Sequence, residues 1–290
     1  MQIEYQPPKK RQPVFACFKG LLRIFIRKVR VVSVGGEPGE HCLYLANHAN
    51  KMGPMIYNMF FKPYHVKWGA SPMLGNYKER YHYLRDVLYI QKNGSGKAIA
   101  SFRAFFEAFF SKYVYKGMKL LPTYPDGRLA RTVKKSVELL AQDIAIMIFP
   151  ENSEEGYKDE LTDFFPGFVL VAKGYKKAYG EDIPMRPVYY HKKKRLIAVG
   201  EPCTLADFGT AKKEEVAEAF RQNVNGLYRR IESGRWGKNE AAAALALLRR
   251  RMGVRVGYEG EKARPGPPPR GVFSVYEFRI VSGICAARFI

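Results

Sequence analysis

With 290 residues, 47% of them apolar and 14% aromatic, the chain can bury a sizeable core, which excludes a wholly disordered protein. Its 49 Lys and Arg against 27 Asp and Glu give a formal charge of +22, which predicts an anionic partner but does not separate phospholipid head groups from nucleic acid or an acidic carrier protein. The four cysteines, Cys17, Cys42, Cys203 and Cys285, form no Cys-x-x-Cys pair, so neither a disulfide framework nor a metal site is expected and a reducing compartment fits.

The first apolar run, residues 14–26, is broken by Lys19 and Arg23, and no stretch approaches the roughly 18 uninterrupted apolar residues of a membrane span. Neither a spanning segment nor a cleaved signal peptide is expected. Residues 14–28 read as a basic amphipathic helix, either lying in a bilayer surface or packing over the domain core. Strands are predicted over 28–34 and 42–46, separated by the turn cluster Gly35-Gly36-Glu37-Pro38-Gly39, and further strands over 87–90, 144–149, 186–190 and 196–199.

Helices are predicted over 98–112, 132–142 and 212–233, the last with Val216, Phe220, Val224, Leu227 and Ile231 on one face. The pairs Phe105-Phe106 and Phe109-Phe110 recur at helical spacing, for which core packing is the default reading and acyl-chain or membrane contact the alternative. Asn93-Gly-Ser-Gly-Lys97 lacks the spacing of a nucleotide-binding loop and reads as a turn. His191-Lys-Lys-Lys-Arg195 fits a charged hairpin turn or an anionic-lipid contact. The alternation implies α/β class: a single layered domain, its mixed and largely parallel sheet flanked by helices. The chain divides into a basic N-terminal segment (1–27), the α/β domain (28–208), a helical region (209–252) and a Pro/Gly-rich tail of unknown role (253–290).

The chemistry-bearing residues stand where strands end. After strand 42–46 comes Asn47-His48-Ala-Asn-Lys-Met-Gly53-Pro54, and after strand 144–149 comes Pro150-Glu151-Asn152-Ser153. A third strand entry follows at Asp182-Ile-Pro-Met-Arg-Pro187-Val-Tyr. In this order the three resemble the block signature of the PlsC-like glycerolipid acyltransferase family (1-acylglycerol-3-phosphate acyltransferases), over most of residues 28–205. The family's first block is Asn-His, four residues, Asp-Pro; Asn47, His48 and Pro54 match it, and Gly53 stands where the aspartate belongs. The second block, an apolar strand ending in Asp-Arg, aligns with residues 88–92 and leaves Lys92 as its cation. The third, Phe-Pro-Glu-Gly-Thr-Arg, is matched at Phe149, Pro150, Glu151 and, conservatively, Ser153, but not at Asn152 or Glu154. Residues 102–131 look like an insertion between the second and third blocks.

The resemblance implies acyl transfer from acyl-CoA or acyl carrier protein to a hydroxyl of a lysophospholipid or glycerol-phosphate-like acceptor, a step of phospholipid biosynthesis that needs no cofactor beyond that co-substrate. His48 would be the general base, with Asn47, Lys92, Glu151, Asn152, Ser153 and Pro187 in substrate binding. Asn50, a backbone carbonyl, Asp86 or Glu151 could orient the imidazole in place of the missing aspartate. The implied partner is an anionic membrane surface and the implied location cytoplasmic and peripheral. With no RNP, KH or zinc pattern, nucleic acid is not expected as a partner. Gly53, Asn152 and Glu154 also fit a decayed member that binds lipid or acyl carrier without turnover.

Overall fold

In the computed structural model, which describes residues 13–152, 156–234, 278–281 and 284–287, seven strands form one sheet. They are β1 (Arg30–Ser33), β2 (Leu43–Ala46), β3 (His65–Ala70), β4 (Leu120–Thr123), β5 (Ala145–Ile148), β6 (Met185–His191) and β7 (Leu196–Val199), in the spatial order β1-β7-β6-β2-β5-β3-β4. Neighbours run parallel throughout except β6 and β7. This is the mixed, largely parallel α/β sheet that the sequence predicts. From β2 the chain moves outward to β3 and β4, returns to insert β5 beside β2, then crosses to the other side of β2 for β6. In α/β proteins such a reversal opens a crevice at the carboxyl ends of the central strands, where ligands bind.

The helices are α1 (Pro13–Phe25), α2 (Gly53–Phe60), α3 (Tyr77–His82), α4 (Lys97–Gly117), α5 (Leu129–Leu140), α6 (Gly167–Tyr179) and α7 (Lys213–Glu232). Strand alternation sends Leu43, Leu45, Ile146 and Ile148 into one core layer under α5, α6 and α7, and Tyr44, Ala46, Ala145 and Met147 into the opposite layer under α2. With both faces covered, the central strands are apolar at every position rather than at alternate ones. The predicted stripe of α7 is buried in the first layer against β6.

Two expectations are corrected, and two strands are not foreseen in the sequence. Residues 87–90 are not a strand but the end of a π-helical segment (Tyr83–Lys92) that continues α3. Leu84 and Leu88, one turn apart, bury against Ala100, Ala104 and Ala108 of α4, and a four-residue apolar run alone does not separate helix from strand. Strands β3 and β4 give no clear strand signal because β3 carries buried His65 and Lys67, while β4 contains Pro122, which sheets tolerate at an edge such as the one β4 forms. Residues 102–131, which look like an insertion in the sequence, hold the edge strand β4 and most of α4. Lastly, α4 buries its alanines and leaves Phe105, Phe106, Phe109 and Phe110 exposed, the reverse of core packing.

In the second unit, which spans 248–290, the described residues are Phe278–Val281 and Ile284–Ala287, which pair antiparallel as β8 and β9; the expected helical stretch beyond 234 and the rest of the 253–290 tail lie outside the described residues. Among the described residues no helix is long and apolar enough to cross a membrane.

Candidate active site

The parallel register of β2 and β5 brings two distant segments together. Leu43 faces Ile146, Tyr44 faces Met147 and Leu45 faces Ile148; three positions further along each chain stand His48 and Glu151. The two side chains meet there. Glu151 Oε1 accepts a hydrogen bond from the His48 backbone N–H at 3.0 Å and lies 3.3 Å from the ring Nδ1. The ring contact is within ion-pair range but is not aimed as a hydrogen bond, and Nδ1 is buried without one.

The carboxylate is held from behind by an antiparallel strap: Phe165 N–H donates to Pro150 O at 2.7 Å, Asn152 N–H donates to Asp163 O at 3.3 Å, and Glu151 bridges Phe164. Its side chain is 3% exposed, against 27% for His48. Because Nδ1 itself is buried, the accessible part of the imidazole is its other edge, which carries Nε2. Aromatic rings fix the plane, Phe149 at 4.5 Å and Tyr157 at 5.5 Å between centroids. Burial, with Tyr83 and Glu151 nearby, pushes the Tyr157 phenol up, so it remains protonated at neutral pH.

The loop that follows His48 is tight. Asn50 N–H donates to His48 O at 2.6 Å around Ala49, whose φ of 57° is a strained conformation for a residue with a β-carbon. This turn drives the His48 carbonyl into the start of α2, and a β-carbon at Gly53 would lie 1.6 Å from that oxygen. Only glycine fits. A carboxylate at position 53 is incompatible with this backbone, and Glu151, not residue 53, supplies the acid beside His48.

The other candidates that could orient the ring are engaged elsewhere. Asn50 Oδ1 accepts from Met52 N–H at 2.8 Å, and Asp86 pairs with Arg85 and His82. Asn47 is fully buried: its Nδ2 donates to Tyr190 O, while its Oδ1 accepts from Tyr190 N–H and the Tyr57 hydroxyl. It ties the end of β2 to β6 and has no face toward a substrate. Pro187 lies mid-strand opposite Leu45, with its carbonyl accepting from Gly200 N–H, inside the sheet rather than at its mouth. Lys92, at the end of the π-helical segment, places Nζ 5.5 Å from the centroid of the Tyr157 ring and so joins the neighbourhood of His48. Asn152 adjoins Glu151 on the strap, and Ser153 lies outside the described residues, as does Glu154.

Two features had no advance signal. Tyr157 reaches the His48 ring, tilted against it, from a loop six residues past Glu151, with only Gly156 as a turn marker. Lys51, three residues after His48, donates to Glu107 of α4 at 2.7 Å and to the Tyr89 hydroxyl at 3.0 Å, and Tyr89 also bonds Glu107. Contacts 38 and 56 residues apart have no sequence periodicity to betray them. Among the described residues no group of three or more His, Cys, Asp or Glu could hold a metal ion.

No family model matches the sequence, and no curated protein matches it. Among solved structures the chain is similar to the crystal structure of the 1-acyl-sn-glycerophosphate (LPA) acyltransferase, PlsC, from Thermotoga maritima, at 13% identity over 78% of this chain and 91% of that one, with a TM-score of 0.44. A likeness of that size transfers no residue roles.

Proposed function

We propose that this chain is an acyltransferase that moves a fatty acyl group from a thioester, acyl-CoA or acyl carrier protein, to a hydroxyl of a lysophospholipid or glycerol-phosphate-like acceptor. The observation that carries the reading is the buried Glu151 carboxylate beside Nδ1 of a histidine whose remaining edge is open, at the carboxyl ends of adjacent parallel strands. The ordered blocks at 47–54, 149–153 and 182–189 supply the reaction class.

In this reading the acceptor hydroxyl approaches Nε2 of His48. Nε2 takes the hydroxyl proton as the oxygen attacks the thioester carbonyl. The carbon–sulfur bond then breaks and the leaving thiolate takes the proton back from the imidazolium, so no acyl-enzyme is needed. Glu151 holds the ring and stabilises the positive charge that appears on it, the task an aspartate performs in hydrolase triads. At 3.3 Å the carboxylate is within ion-pair range of the protonated ring. Lys92 supplies a cation for a phosphate-bearing acceptor. Since donor and acceptor are both amphiphiles, the protein works as a peripheral protein at an anionic membrane surface, in keeping with its formal charge of +22.

The unformed Nδ1 hydrogen bond is the observation that favours the second reading, a protein of this fold that binds lipid or acyl carrier without turnover. Free thiol release from long-chain acyl-CoA and acyl carrier protein, over a panel of lysophospholipids, separates the two. Acceptor-dependent release that disappears in His48→Ala supports the enzyme; folded protein that releases no thiol with any pair leaves the binding reading.

A further inference from the structure

Helix α4 is apolar on two opposite faces. Ala100, Ala104, Ala108, Ser111 and Tyr115 face the domain, at steps that keep them on one side of a 3.6-residue helix. Half a turn away stand Phe102, Phe105, Phe106, Phe109, Phe110 and Tyr113, each between 52% and 69% exposed. A surface helix ordinarily presents polar residues there, and a contiguous run of exposed aromatics marks a surface built to be covered. Arg103, Lys112 and Lys116, all exposed, flank the aromatic row. At its C-terminal end α4 is packed by α1, with Phe15 pressed onto Gly117, and α1 leaves Leu21, Ile24 and Phe25 exposed beside Arg23.

We infer that the aromatic face of α4 inserts into an anionic bilayer, and that it sets the position of the active site on the membrane. This deepens the lipid reading above and rests on it. The charge chooses the occupant: lipid phosphates complement the flanking cations, whereas a second copy of the chain would bring another +22 against them. The positioning follows from Glu107, on the same helix, which holds Lys51 in the loop after His48. With its phenylalanines in the acyl layer, α4 keeps that loop at the interface, where an acyl chain and a head group meet. In the charged hairpin at residues 192–195, Lys194 Nζ donates to Ile231 O and Glu232 O and so caps α7.

The test is flotation of the full chain with phosphatidylcholine–phosphatidylglycerol vesicles, against a Phe102→Ser/Phe109→Ser variant, with thermal unfolding as a control. Removing two inserted rings should weaken partitioning on the order of tenfold or more. Unfolding should not change, because both rings are exposed in the free protein. A separate Phe109→Trp variant should show blue-shifted emission on vesicles and quenching by brominated acyl chains.

A double variant that floats like the parent, or a Phe109→Trp variant whose emission is not quenched, overturns the inference. Concentration-dependent self-association that the double variant loses, without lipid binding, assigns the face to a second copy and overturns it too. Thiol release separates this inference from the reading it rests on. A chain that floats through α4 but releases no thiol defeats acyl transfer alone, and one that releases thiol but does not float through α4 defeats this inference alone.

Discussion

Two histidines sit against the sheet in opposite circumstances. His48 stands two residues past the end of β2, beside the buried carboxylate of Glu151 and partly open. His65 begins β3, buried, its Nδ1 2.6 Å from Pro63 O and its Nε2 without a hydrogen bond. On the same strand face Lys67 is fully buried with an unpartnered Nζ. The charged groups acting on this pair are Lys119 and Lys19, both cationic. Burial first, then the neighbouring lysines (Lys67, Lys119 and Lys19 for His65; Lys119 and Lys19 for Lys67), holds both groups well below their ordinary values. On the proposed reading, the contrast teaches what a histidine needs in order to act as a base. It needs an acid behind it to accommodate the proton it takes up and an open edge from which to take it; His65 has neither.

The sharpest way to break the comparison is to remove both histidines in turn. His48→Ala should lower acceptor-dependent turnover by roughly a thousandfold or more with unfolding unchanged, whereas His65→Phe should leave turnover within a few-fold. Equal losses of rate would erase the distinction between the two sites. Next in size is the substitution that restores the family pattern. Gly53→Asp should cost on the order of 3 kcal/mol in denaturant unfolding, because its β-carbon meets the His48 carbonyl, and should reduce activity rather than raise it.

Lys67→Met sharpens the other half. A flexible apolar side chain in place of an unsatisfied buried amine should add about 1–3 kcal/mol of stability at neutral pH. The folded-state pKa of Lys67 lies below its ordinary value of 10.5, so over that interval the unfolded chain binds more protons and stability rises with pH. The advantage of Lys67→Met should therefore shrink as pH is raised from 7 toward 10. Urea unfolding at several pH values reads this directly, and a gap that widens with pH would show that the amine is charged in the fold.

Where sequence pattern and folded element coincide, one periodicity had no competitor. The α7 stripe and the strand at 196–199 match the folded elements because amphipathic spacing and a charged turn bound them. Where the two part, the local signal is ambiguous or masked. Val87-Leu-Tyr-Ile90 suits either element until Leu84 is paired with Leu88, and β3 is hidden by the two buried bases discussed above. At the site, His48 and Glu151 are legible from the strand-end blocks, but their partnership is not. It depends on a 103-residue register between β2 and β5, and on the strain at Ala49 that forces glycine at position 53. Asn47 and Pro187 resemble the family's pattern for structural reasons, one stitching β2 to β6 and the other lying within the sheet.

Central to the proposed chemistry is Glu151 as the acid behind His48. The measurement that tests it is acceptor-dependent thiol release by Glu151→Gln relative to the parent, with unfolding temperature as the control for folding. A loss of about a hundredfold to ten-thousandfold in turnover from a folded protein is the predicted result, since the amide keeps the shape but not the charge that stabilises the imidazolium. Turnover equal to the parent would contradict it and show that His48 works without a carboxylate.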